Sequence, residues 1–155
     1  MDQQLASILN YRNEDVISRF MDMYNIDETE AESIFTETRK FLFICRMPGI
    51  FIPDDLLIVD EMWHNFILFS KEYQIFCDHN FGAYLHHLPA SKQEKILQKQ
   101  KNEASPENAA REYKEKMSLV LSITYDVLGA DTVIKWFHEY PERYSKSAIS
   151  ALRKY

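Results

Sequence analysis

Three glycines, Gly49, Gly82 and Gly129, and five prolines are all the strong backbone punctuation in this 155-residue chain. A many-turned β fold needs many more residues that accept positive φ or stop an element, so the pattern favours long helices joined by few breaks. Between the breaks, apolar residues recur at helical spacing. The expected fold is all-α: a compact single-domain bundle of about six to seven helices over residues 1–155, with a motif segment, 54–90, at its centre.

The helix signals run in order. Asn13-Glu14-Asp15 opens a helix to about Tyr24, with Val16, Ile17, Phe20 and Met21 at helical spacing. Asp27 and Glu30 form a capping-box pattern, and the helix behind them should reach about Arg46 with Ile34, Phe35, Phe41, Leu42 and Cys45 inward. Met47-Pro48-Gly49 breaks it, and residues 50–53 read as an apolar connector packed down on the body. Asp54 is expected to cap a helix through Phe69 that is apolar almost all round, hence central and buried. Ser70 caps a continuation carrying Tyr73, Phe76 and Cys77, which Gly82 ends. Residues 83–90 form a loop stopped by Pro89. A polar helix follows over 91–101, and its four lysines read as a solvated face. After a loop at 102–105, Ser105-Pro106-Glu107 starts a helix to Leu128. Asp131 opens another, which Pro141 divides from a last helix near 145–153.

Charge and termini exclude some functions. The net charge is -6, and binding nucleic acid through phosphates needs clustered Lys and Arg, so nucleic acid is not the expected partner. A basic protein or peptide suits the balance better. No apolar run approaches the roughly 20 residues that span a bilayer. Met1-Asp2-Gln3-Gln4 lacks the basic start and apolar core of a secretory signal. Cys45 and Cys77 are too few for a disulfide framework and read as reduced thiols, so a cytoplasmic protein is expected.

Chemistry concentrates in one stretch. Asp60-Glu61-Met62-Trp63-His64 is followed by Tyr73, Cys77, Gly82 and His86-His87-Leu88-Pro89. Asp60 and His64, four apart on a helix, share a face one turn or ~6 Å apart along the axis. This spacing presents two ligands to a transition metal, or lets a carboxylate orient an imidazole. Tyr73 and Cys77 repeat it. The expected ligand set is Asp60, His64, Cys77, His86 and His87, with Glu61, Trp63 and Tyr73 in support; adjacent residues point apart, so one of His86 and His87 should face inward. Mixed N, O and S ligands suit zinc first, then iron or copper. Taken one at a time, the same residues have plainer readings: His64 as a core histidine, Cys77 as a small buried hydrophobe, Tyr73 as a satisfied core hydroxyl, His79 as surface, Cys45 as structural.

With those residues in register, the chain resembles the glycine-rich domain-containing protein-like group of plants and bacteria. The shared pattern is Asp-Glu-x-Trp-His, a Tyr ten residues after the Trp, a Cys four later, then Gly and His-His-x-Pro. It covers about residues 40–90, a third of the chain. Many members carry a second histidine two residues after the first, where this chain has Phe66, and the glycine-rich tail is absent here. The resemblance implies a shared polar site rather than a mechanism.

Three functions fit. The first is a polar pocket that binds a transition metal, with His64 or Cys77 as the catalytic candidates if it is an enzyme. The second is a non-catalytic interaction module, an adaptor, inhibitor or immunity-type protein, in which the motif is a structural lock and the acidic surface recruits a basic partner. The third is a cysteine-dependent enzyme, in which a histidine lowers the pKa of Cys77.

Overall fold

Side-chain caps start most helices where local sequence places them. In the computed structural model, which describes residues 2–155, Asp2 accepts from the Gln4 amide and opens α1, Gln3–Asn10. Asn13 accepts from the Asp15 and Val16 amides and opens α2, Glu14–Met23. Asp27 accepts from Glu30 and opens α3, Glu28–Cys45. A 3-10 turn, Asp54–Leu56, leads into α4, Leu57–Ile67, and α5, Ser70–Phe81, ends on Gly82 at φ 69. Ser91 and Glu94 close a reciprocal capping box at the start of α6, Lys92–Ala104. Then come α7, Pro106–Leu128, and α8, Ala130–Ile134, which passes through a π turn, Lys135–Glu139, into α9, Tyr140–Arg143. The last is α10, Lys146–Leu152.

With the unbroken run from α8 to α9 counted once, the described residues hold nine helices and no strand, so the expected six to seven is too few. Helix α1 is only eight residues long, a weak signal in sequence, and its Leu5 and Ile8 are buried against the rest of the chain. Asp54 and Ser70 do not cap: the N-cap residues are Leu56 for α4 and Phe69 for α5, and neither helix has a side-chain cap. The polar helix α6 runs to Ala104, which leaves Ser105 alone in the expected 102–105 loop. Pro141 does not divide the C-terminal helix. It lies directly after the π turn, inside the continuous run from α8 to α9.

The core is one cluster of buried side chains from Leu5 to Ile149. Its spine is the pair α3 and α4, the two helices in most extensive contact. Helix α4 buries Ile58, Val59, Met62, Trp63 and Phe66. Of the residues expected inward on α3, Ile34, Phe35, Phe41 and Leu42 are buried and Cys45 is half-buried. Two charged side chains lie in this apolar setting, and both are satisfied. Glu37 accepts from the Trp136 indole at 2.7 Å and pairs with Lys40 at 3.0 Å. Arg39, 2% exposed, donates to the carbonyls of Ile8, Leu9 and Tyr11 at the end of α1. In contrast α6 buries no residue and has its main contact with α7.

Candidate metal centre

Two adjacent residues of α4 face opposite environments. Trp63 is 5% exposed and points into the core, while the His64 side chain, 57% exposed, looks out. Asp60, one turn before His64, shares its outer face. Gly82 then turns the chain back at positive φ, which a residue with a Cβ resists, and the segment after it returns across α4. The Tyr73 hydroxyl fastens that segment. It accepts from the Trp63 indole at 3.0 Å and donates to the Leu85 carbonyl at 2.5 Å.

Two residues beyond Leu85, the His87 imidazole stacks flat on Trp63, with ring centroids 3.8 Å apart and planes 7° apart. It also stacks on His64 at 4.5 Å and 27°. Its Nε2 lies 2.6 Å from Asp60 Oδ1. The other Asp60 oxygen faces His64 Nδ1 at 3.8 Å. One ligand atom from each of Asp60, His64 and His87 therefore falls within 4.8 Å of the other two.

The remaining candidates lie elsewhere. His86 is exposed and packs on Tyr84 at 4.8 Å, so of the adjacent pair it is His87 that faces Asp60. Glu61 turns to the other flank of α4, where it accepts from the Tyr24 hydroxyl at 2.6 Å and pairs with Arg153. Cys77 is fully buried and stands outside the Asp60, His64 and His87 group. Tyr73 spends its hydroxyl on Trp63 and Leu85. His79 is exposed at the end of α5. Phe66, where a second histidine stands in the glycine-rich group, is fully buried against Phe35, Tyr73 and Phe76. That position belongs to the core here. The Leu85 carbonyl, which holds the return segment in place, carries no side-chain signal a sequence could show.

Burial raises the Cys77 thiol above its ordinary range, and the Leu85 backbone and Tyr73 hydroxyl offset only part of this. Burial likewise pushes Cys45 up to about 12. Thiolate, the reactive form, is disfavoured at both. Neutral-pH alkylation is expected to be slow for both cysteines until the chain unfolds; rapid labelling of Cys77 in the folded protein would refute this placement. The same groups set an alkaline limit. Folded pKa values above the ordinary 9.0 of a thiol mean that the unfolded chain loses its protons first. Their stabilisation is complete below that value and fades as pH rises. The buried phenols of Tyr73 and Tyr140, raised chiefly by burial, act in the same direction. The melting temperature should hold from neutral pH to about pH 9 and fall beyond it.

A family model described as UCP032817-like matches residues 3–113, well over half of the chain. This replaces the likeness to the glycine-rich domain-containing group, which rested on about residues 40–90, a third of the chain, whereas the family match extends from α1 into α7. No curated protein and no solved structure matches the chain.

Proposed function

The chain belongs to the UCP032817-like family, and we propose that it binds a divalent transition metal, zinc first, through Asp60, His64 and His87. The observation that carries this is the convergence of the three ligand atoms within 4.8 Å of one another. Two imidazoles and one carboxylate are a set that zinc accepts while leaving coordination positions open, and ferrous iron is the next candidate. Asp60 and His87, already held together by a hydrogen bond, would supply two of the ligands to a cation. His64, on the exposed side, is the ligand with freedom to swing inward. The stack on Trp63 fixes the His87 ring as an outer-shell contact does in metal sites. Among the described residues no helix is long and apolar enough to cross a membrane. We place the protein in the cytoplasm, where the free thiols Cys45 and Cys77 stay reduced.

Metal analysis of protein purified without an affinity tag, followed by zinc titration, tests the reading. Bound metal, or zinc uptake at one equivalent, is the expected result. His64→Ala should abolish tight uptake yet leave the metal-free protein within about 1 kcal/mol of its original stability, because the side chain is largely solvated. A chain that purifies free of metal and ignores added zinc overturns the proposal.

A second reading has its own observation. The Trp63–Tyr73–Leu85 bonds and the His87–Asp60 contact tie residues 85–87 to α4 without any ion. In that reading the motif is a structural lock in a non-catalytic module whose acidic surface receives a basic partner. Under it His64→Ala changes nothing measurable in metal binding.

A further inference from the structure

Helices α2 and α3 leave a cleft of about 590 Å³ between them, open to solvent. Its floor is apolar, formed by Ile17, Met21 and Phe35. Glu14, Asp22, Glu28 and Glu32 stand along its sides, all exposed. Among the described residues none of the four is in an ion pair. Arg12 and Arg39 stand at one end, hydrogen-bonded to the carbonyls around the end of α1, and their two charges offset only part of the four acids.

The same chain carries a helix of complementary character. Every residue of α6 is exposed, including Ile96 at 41% and Leu97 at 48%. Thirteen residues that bury nothing make a marginal helix by themselves. Lys101 pairs with Glu112 of α7 at 3.9 Å, which identifies the side of α6 turned to its neighbour. At about 100° per residue, Lys92, Lys95, Ile96 and Lys99 gather on the opposite side. Among the described residues these three lysines have no carboxylate partner.

We propose that the chain self-associates head to tail, with the outer face of α6 from one copy seated in the α2–α3 cleft of another. Ile96 meets the apolar floor, and Lys92, Lys95 and Lys99 meet the four acids. An amphipathic helix in an apolar groove is a recurrent docking mode, and opposite charge fixes its orientation and speeds its encounter. The two surfaces differ, so the contact either closes reciprocally between two copies or repeats into rings or chains of copies.

Sedimentation velocity on the full chain over a concentration series tests this. Association is expected to grow with concentration and to weaken as salt rises, because exposed charges are screened. The triple variant K92E/K95E/K99E and the double variant E28K/E32K should each weaken association by about a hundredfold, since like charges then face each other across the contact. Circular dichroism checks that both variants stay folded, as exposed substitutions should. Mixed together, the two variants should associate again, because each supplies the charge the other's surface now requires. A wild-type chain that stays monomeric at the highest attainable concentration overturns the proposal. So does association that neither variant disturbs, or variants that fail to recombine. None of these readouts depends on metal.

Discussion

His87→Ala is expected to lower zinc affinity by more than about a hundredfold, beyond what loss of an outer-shell partner alone costs. It should also destabilise the metal-free protein. The imidazole lies on Trp63 at 3.8 Å and meets Asp60 at 2.6 Å, with 12% of its side chain exposed. Losing a hydrogen bond to a charged group costs about 1.5–3 kcal/mol, and losing an aromatic stack about 0.5–1.5 kcal/mol. The combined expectation is about 2–4 kcal/mol by chemical denaturation without metal. His64→Ala is the companion measurement, since it removes a ligand and leaves the loop attachment intact. Were both variants to lose zinc while only His87→Ala lost stability, the centre and the lock would be one structure with two roles. Equal stability losses from both would contradict the placement of His64 on the solvent side.

Arg39→Leu is expected to cost about 3–5 kcal/mol, since it strands several buried carbonyl acceptors at about 1–3 kcal/mol each. The guanidinium reaches Ile8 O at 2.6 Å and Tyr11 O at 2.7 Å and also bonds Phe35 O and Thr36 Oγ1. No other side chain in the interior can satisfy so many of the carbonyls left open where α1 ends. For a chain of this length the melting temperature should fall by about 10 °C. Arg39→Lys should rescue little, because one ammonium cannot reproduce the forked donor geometry. Arg12→Ala makes the control. Arg12 bonds the Leu9 and Tyr11 carbonyls from solvent, so its loss should cost under about 1 kcal/mol. Comparable losses from Arg12 and Arg39 would show that burial is not what makes the second one matter.

Burial also explains why the site was only partly legible. Asp60 and His64 were readable as neighbours because four residues on a helix fix that relation locally. Tyr73 and Cys77 have the same spacing, yet their face of α5 packs into the core, and spacing alone cannot tell an inward face from an outward one. The expected choice between His86 and His87 depended on the path of the loop. That path is set by Gly82, by the Tyr73 bond to Leu85 and by the flat surface of Trp63. Phe66, where the glycine-rich group often carries a second histidine, fills the centre of the aromatic packing, which the sequence did not show.

Helix starts at Asn13, Asp27, Ser91 and Ser105, the stop at Gly82, the helical class and the crowding of polar chemistry into residues 60–87 were all written in the sequence. Each depends on interactions within a few residues, where backbone geometry leaves little freedom. The partnership of Asp60 with His87, the burial of Cys77, the capping of α1 by Arg39 and the open cleft beside α2 were decided by the tertiary structure. These contacts join residues up to thirty-one positions apart, and many chain paths satisfy the same local preferences; the packing of the helices against one another, α3 on α4 foremost, selects among them.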